Sequence, residues 1–508
     1  MTRLKSHFSS LQRKLLDAAR GCSLGRNHRR KALRSFPLQS HQVRCSPGES
    51  PSQFHEQICR KIRNAKDRVY LASLYIGPAA NPQATPKEAE LLNSLASSQA
   101  SSLKILLDQN RALRVVPTHH ATTSSAEACR EAIALRKRRM TGAGSPKDDL
   151  RLFSVLSPLH QMILPNPYNE VAGVFHIKCY IFDNEMVISG ANLSEEYFTD
   201  RTDRYLWITG RSATSQQRID DEDSTSPCLV QFYADLVEAL CDYANPFPPK
   251  DVASNGAPRR SSSTELLERL QELLTVDEET VDDLECRSDL AAVAVPTIQA
   301  PQLNLGDIPS DHQVIQALLQ AASASDIRLA SAYLNPTDDM LQALSRSNRV
   351  HLLTAGHLSH GFKPKRNTST TSMRTRYVPG MFDTLARHSI PQENSKIHLW
   401  YYQRPDWTFH AKGLWMSSPA AGDNHSLPED SLLHAVTHGS GNYGYRSAMR
   451  DMESNLVLVL PEASPLQTAF RDEWNEWERY SYPAKEIQNK DPLPSPLRWS
   501  LPLVRRYL

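Results

Sequence analysis

The second half of this 508-residue chain repeats its first, and that repeat limits the folds open to it more than any other feature. Arg328-Leu329-Ala330-Ser331-Ala332-Tyr333-Leu334-Asn335 echoes Tyr70-Leu71-Ala72-Ser73-Leu74-Tyr75-Ile76-Gly77, and a predicted helix leads into each (313–324 and 53–65). Residues 350–354 stand where 103–108 stand, and 397–402 where 152–156 stand. Each half then reaches the same polar pattern. In the first it is Phe175-His176-Ile177-Lys178-Cys179-Tyr180-Ile181-Phe182-Asp183, followed by Ser189-Gly190-Ala191-Asn192. In the second it is Phe409-His410-Ala411-Lys412, followed by Gly439-Ser440-Gly441-Asn442. Alternation of period two reads as a strand with His176, Lys178 and Tyr180 on one face. Strands alternating with helices predict an α/β layer fold, built twice, with one site at the seam between the copies.

One His-Lys pair could be an ordinary half-exposed strand. Two copies of so unusual a pattern, each with a Gly/Ser-Asn turn behind it, argue for chemistry. A phosphate diester suits them. One imidazole attacks phosphorus; the other protonates the departing group and later takes a proton from the incoming alcohol. Lys178 and Lys412 supply charge for the equatorial oxygens, Asn192 and Asn442 amide donors, and Ser440 a hydroxyl. No His/Cys cluster has zinc spacing and no Gly-rich Lys-Ser/Thr loop is present, so neither a metal nor a cofactor is expected.

At this point the chain resembles the phospholipase D superfamily, whose mark is two H-x-K-x4-D motifs, each with a downstream G-S-x-N. His176, Lys178 and Asp183 match the first in full. The second keeps His410 and Lys412 but has Ser417 at the aspartate position, and in the first Gly-Ser-x-Asn the serine and glycine are exchanged. The resemblance implies duplicated α/β sandwich units forming a bilobal, pseudo-twofold molecule with a single interfacial active site. It assigns the nucleophile to His176 and the acid/base role to His410. It also implies a carboxylate beyond each motif that orients the other half's imidazole, by position Asp203 and Glu453; ion pairing with adjacent arginines is the alternative for both. Asp183 belongs to the catalytic motif but reads as a local anchor rather than a proton carrier.

The stretches 189–198, 202–205 and 441–447, with the missing second aspartate, are similar to the eukaryotic phosphatidylglycerophosphate synthases. That likeness implies transfer of a phosphatidyl group from CDP-diacylglycerol to glycerol 3-phosphate with release of CMP. A dianionic acceptor calls for arginines, and Arg201, Arg204, Arg446 and Arg450 lie just past the motifs. Other lipid synthases of the superfamily, a nuclease or tyrosyl-DNA phosphodiesterase, and a non-catalytic lipid-binding scaffold remain as alternatives.

Charge bears on these choices. Residues 1–45 hold eleven Lys and Arg against one acid, Asp17, about +10; the whole chain is +2, so the remainder sits near −8. An acidic body argues against nucleic acid as a partner. The basic start, with Leu4, Phe8, Leu11, Leu15 and Leu16 near helical spacing, reads as a mitochondrial presequence. The expected organisation is a presequence at 1–45, a first domain at 46–245, a partly disordered linker at 246–305, a second domain at 306–485 and a tail at 486–508. No apolar run approaches the ~20 residues of a membrane span. Contact with the inner mitochondrial membrane, on its matrix side, is therefore expected to be peripheral, with the Trp-, Leu- and Arg-rich tail as a candidate anchor. The eight cysteines, scattered and without a C-x-x-C pair, read as free thiols.

Overall fold

The computed structural model describes residues 9–21, 23–24, 30–45, 48–117, 122–140, 147–155, 170, 172–210, 228–248, 261–277, 289–362, 373–389, 396–420, 425–486 and 493–507. Leu4, Phe8, Cys22, Cys286 and most of the acidic run after Asp277 lie outside them.

Two large sheets carry the repeat. The first has eight strands in the order Asn245–Pro246, Lys147–Phe153, Ser102–Asp108, Arg68–Ser73, Cys179–Phe182, Glu185–Ser189, Tyr205–Thr209 and Val43–Cys45. The second has nine: Ser481–Pro483, Ile397–Tyr402, Arg349–Ala355, Asp326–Ser331, Lys412–Ser417, Leu433–Gly439, Glu453–Val459, Leu290–Gln299 and Phe36–Gln39. The order is the same in both. Each centres on three parallel strands reached through helices, then turns antiparallel at the His-Lys strand. This is the duplicated α/β sandwich predicted from the repeat.

Apolar side chains explain the layering. Cys179, Ile181, Met186 and Ile188 share one continuous core with Leu329, Leu414 and Val457 of the second sheet and with the helix Leu229–Tyr243. The first sheet's other face holds Val69, Leu71, Leu103 and Ile105 against the helices Pro51–Asn64, Pro86–Ser97 and Ser125–Arg139. Both sheets are therefore covered on the faces that the parallel strands would otherwise expose.

Three expectations about boundaries change. The segment taken as presequence is packed into the molecule from Ser10. The helix Ser10–Arg20 buries Leu15 and Leu16 in the shared core, and Gln12 Nε2 donates to the Leu460 carbonyl at 2.6 Å. The same arm then gives its last strand to each sheet: Phe36–Gln39 pairs with Leu290–Gln299, and Val43–Cys45 with Tyr205–Thr209. Leucines at helical spacing among basic residues describe a presequence and a half-buried surface helix equally well. The stretch taken as linker contains Leu290–Gln299, a ten-residue strand buried along its whole length. Its small apolar residues carry no alternation because both faces are covered. Finally, the His-Lys strands start later than periodicity predicts. Regular pairing begins at Cys179 and Lys412, leaving His176 and His410 on extended backbone just before it.

Candidate active site

The two extended segments before the strands reach across the seam. Phe175 forms a parallel bridge with Met452, and Arg201–Thr202 pairs in parallel with Thr408–Phe409. His176 N–H donates to the Met452 carbonyl and His410 N–H to the Thr202 carbonyl, each at 2.8 Å. The next residue after each of those carbonyls is an acid, Glu453 and Asp203. The chain path alone thus delivers each half's carboxylate to the other half's imidazole.

The contacts are short. His176 Nδ1 lies 2.8 and 3.0 Å from the Glu453 oxygens, and His410 Nδ1 lies 2.7 Å from Asp203 Oδ2. Ser447 Oγ donates to Glu453 at 3.0 Å and Arg204 N–H to Asp203 at 2.9 Å, which fixes both acids. Lys178 and Lys412 are buried, with Nζ on the carbonyl of their own histidine at 2.7 and 2.6 Å. Lys412 Nζ also comes within 2.8 Å of His410 Nδ1. That nitrogen has one hydrogen-bonding position; the acceptor Asp203 takes its proton, while the ammonium is satisfied at the carbonyl.

Electrostatics tie the halves into one cluster. Burial lowers the proton affinity of His176, and Lys178 and Lys412 lower it further. Burial does the same for His410, followed by Lys412, Arg201, Lys178 and His176. Burial pushes the Glu453 carboxyl up to about 7 and raises that of Asp203, against the pull of the nearby lysines. In each pair the hydrogen bond places a carboxylate oxygen to accept the Nδ1 proton of the imidazole. Burial lowers Lys412 to about 8, against the attraction of Asp203 and Glu453. Burial likewise lowers Lys178 well below its ordinary value, so an anion that pairs with both amines is what the site favours.

The remaining predicted residues divide. Asn192 joins the cluster by its side-chain bond to Tyr197, and Asn442 by its backbone N–H, which donates to Ser447 Oγ; each leaves its amide oxygen buried without a partner among the described residues. Ser440 exchanges hydrogen bonds with the Ser454 backbone beside Glu453. The Gly/Ser exchange has a physical cause. A β-carbon at Gly190 would lie 2.5 Å from Asp203 Oδ1 and 2.9 Å from Lys412 Nζ, so a serine does not fit there.

Asp183 is a correction to the catalytic set. It sits at the far end of its strand in the hairpin turn, with φ +51°, and its carboxylate accepts from the backbone N–H groups of Lys66, Asp67 and Arg68 at 2.8–3.1 Å. The four arginines also separate. Arg201 and Arg446 act on His410 and His176 respectively. Arg204 is buried and its guanidinium is spent on Glu473 and on the carbonyls of Lys412 and Thr437. Arg450 lies outside, bonded to the Arg506 carbonyl and stacked on Tyr507. Neither Arg204 nor Arg450 is placed to meet an acceptor.

Sequence reasoning missed several neighbours. Tyr197 Oη is 3.3 Å from His410 Nε2 and accepts from Asn192 Nδ2 at 3.0 Å. Tyr333 presents its edge to His410, and Arg201 lies over the Tyr197 ring. On the other side, Asp451 takes the Val174 N–H and pairs with Arg446, and Asp108 takes the Phe175 N–H. The spacing from Asn192 to Tyr197 equals that from Asn442 to Ser447, which touches Glu453; only this matched offset marked them.

Two sheets of one topology, meeting at a seam that holds crossed His-carboxylate pairs and two lysines, define a phospholipase D-like fold. The phosphatidylserine synthase of Haemophilus influenzae Rd KW20 has a similar structure, with a TM-score of 0.64 at 17% identity over 98% of this chain and 100% of that one. No family model matches the chain. Its curated homologues carry the name CDP-diacylglycerol–glycerol-3-phosphate 3-phosphatidyltransferase. The mitochondrial protein of Mus musculus is 27% identical over 463 residues, 87% of this chain and 79% of that protein. The protein of that name from Saccharomyces cerevisiae is 25% identical over 463 residues, 86% of this chain and 82% of that protein.

Proposed function

We propose that this chain transfers the phosphatidyl group of CDP-diacylglycerol to glycerol 3-phosphate, giving phosphatidylglycerophosphate and CMP. The names of its homologues supply the substrates. The observation that carries the chemistry is the crossed pairing of His176 with Glu453 and His410 with Asp203.

In this reading Glu453 holds the proton on Nδ1 of His176, which leaves the Nε2 lone pair to attack the phosphorus that bears the diacylglycerol. A P–N bond forms, the P–O bond to CMP breaks, and the electron pair leaves on CMP. With a lone pair on Nε2, His410 gives CMP no proton, unlike the expectation from the sequence; it takes the proton of the acceptor hydroxyl as its oxygen attacks and releases it to water as the product leaves. The P–N bond breaks and its pair returns to His176. Lys178 and Lys412 face the non-bridging oxygens, with Asn192 and Asn442 beside them. Arg201 and Arg446 flank the histidines and suit the second phosphate of the acceptor.

The placement is mitochondrial, on the matrix side of the inner membrane. No described helix is long and apolar enough to cross a bilayer. The helix Ser495–Val504 leaves Trp499 and Leu503 about four-fifths exposed with Arg498 beside them, and Arg505 fastens it to Asn335 and Asp338. That combination suits an interfacial anchor.

The test is CMP release by purified protein from CDP-diacylglycerol with labelled glycerol 3-phosphate, serine or single-stranded DNA. Glycerophosphate-dependent release that is lost in His176→Ala supports the reading. Serine-dependent release or DNA cleavage overturns it.

A further inference from the structure

The two imidazoles are oriented alike through Nδ1, but their other nitrogens differ. Among the described residues no side chain or backbone group bonds to His176 Nε2. His410 Nε2 meets the Tyr197 hydroxyl at 3.3 Å. With Asp203 accepting the Nδ1 proton, Nε2 carries a lone pair, so the phenol donates to it. The phenol in turn accepts from Asn192 Nδ2 at 3.0 Å, so its proton is directed at the imidazole. The ring is fixed from several sides: it is buried, it lies edge-on to His410, and Arg201 stacks over it 4.5 Å from its centre. In the other half the matching position is Ser447, which is committed to Glu453 and the Asn442 N–H, and no phenol stands at His176 Nε2 among the described residues.

We propose that Tyr197 is a positioning residue that acts through His410: its hydroxyl occupies Nε2 until the acceptor arrives, and so keeps that nitrogen uncharged and aimed for proton abstraction. The inference rests on the proposed phosphatidyl transfer. It separates the two steps by residue. Attack by His176 needs nothing from Tyr197. In the second step the acceptor hydroxyl displaces the phenol at Nε2 and gives up its proton there as the new P–O bond forms and the P–N bond to His176 breaks. The phenol oxygen then accepts from the new Nε2–H and turns its own proton to a phosphoryl oxygen. No proton is gained or lost by Tyr197 over the cycle.

Removing only the hydroxyl isolates this role, because Tyr197→Phe keeps the ring on which Arg201 rests. The groups facing His410 are Asp203, Lys412, Lys178, His176, Arg201, Tyr197 and Tyr333, and only one of them changes in that variant. Loss of a donor to neutral Nε2 favours the protonated ring, so the acid limb of the transfer rate should move up by about one pH unit. Transfer to glycerol 3-phosphate at neutral pH should fall roughly tenfold, less than the roughly 10²–10⁴ that loss of the acid/base group itself would cost. Exchange of labelled CMP into CDP-diacylglycerol without acceptor reports the first step alone and should change less than about threefold. An unshifted acid limb, or equal loss of exchange and transfer at an unchanged melting temperature, overturns the role of Tyr197. Absence of CMP exchange in the wild-type protein would instead remove the phosphatidyl-transfer reading beneath it.

Discussion

Asp326 does in the second half what Asp183 does in the first, from the opposite strand. Asp183 lies in the hairpin turn and caps the start of the strand Arg68–Ser73. Asp326 begins the equivalent strand, pairs in register with Ser417, and holds the Ala420 N–H at 3.0 Å and the Asn348 side chain at 2.6 Å. The carboxylate has changed strands, which is why Ser417 is tolerated at the motif position. Asp183→Ala and Asp326→Ala are each expected to cost about 2 kcal/mol, from two or three lost hydrogen bonds. Urea midpoints should fall for both, while KM for either substrate stays put. An Asp183→Ala protein of full stability but no turnover would contradict the anchor role.

Glu453→Gln and Asp203→Asn should lower activity by roughly 10²–10⁴, because an amide can hold the wrong tautomer of its histidine. The steps affected should differ. Glu453→Gln is expected to abolish CMP exchange, and Asp203→Asn to slow transfer to glycerol 3-phosphate more than exchange. Isotope exchange measured beside transfer decides between this and a single shared defect.

Gly190→Ser would restore the residue order of the second half and is expected to inactivate. Its β-carbon requires Lys412 Nζ or Asp203 to move, and the lysine is the more mobile. A loss of at least about tenfold with little change in melting temperature is expected from displaced catalytic geometry. Normal turnover of this variant would show that the Lys412–Asp203 approach is dispensable.

Acid should unfold the protein through buried histidines outside the two catalytic pairs. Burial, then neighbouring Arg328 charge, holds His351 at about 2 and His425 at about 3, and burial lowers His438 well below its ordinary 6.5. Both ring nitrogens of each lack a partner among the described residues. Unfolded, these rings bind protons below 6.5; folded, they do not. Stability is thus complete above that pH and falls as pH drops, by about 1.4 kcal/mol per unit for each ring. Urea midpoints between pH 7.5 and 5.5 measure the slope, and His351→Leu should flatten it by one ring's share.

The repeat made the architecture legible, because helix, strand and His-Lys segment recur in one order and topology follows order. The crossing of Asp203 and Glu453 was implied by the resemblance to the phospholipase D superfamily; the sequence itself showed only that each acid lies eleven residues past its motif asparagine, Asn192 or Asn442. What could not be read was how a polar group spends its hydrogen bonds. Arg204 and Arg201 are near neighbours in sequence, yet one is consumed by Glu473 and the other pairs with Glu196 and Thr408 beside His410. Tyr197 passed as an ordinary aromatic because its partner lies 213 positions away. Leu290–Gln299 failed for the opposite reason: a strand covered on both faces has no alternation to detect.

The amino-terminal arm carries a consequence for maturation. It closes one outer margin of each sheet, so a polypeptide trimmed beyond Cys45 would leave Leu290–Gln299 and Tyr205–Thr209 with unpaired ladders. Bare apolar ladders recruit those of other copies. Excessive proteolytic trimming is therefore expected to make the protein self-associate, even with every residue of the reaction centre intact.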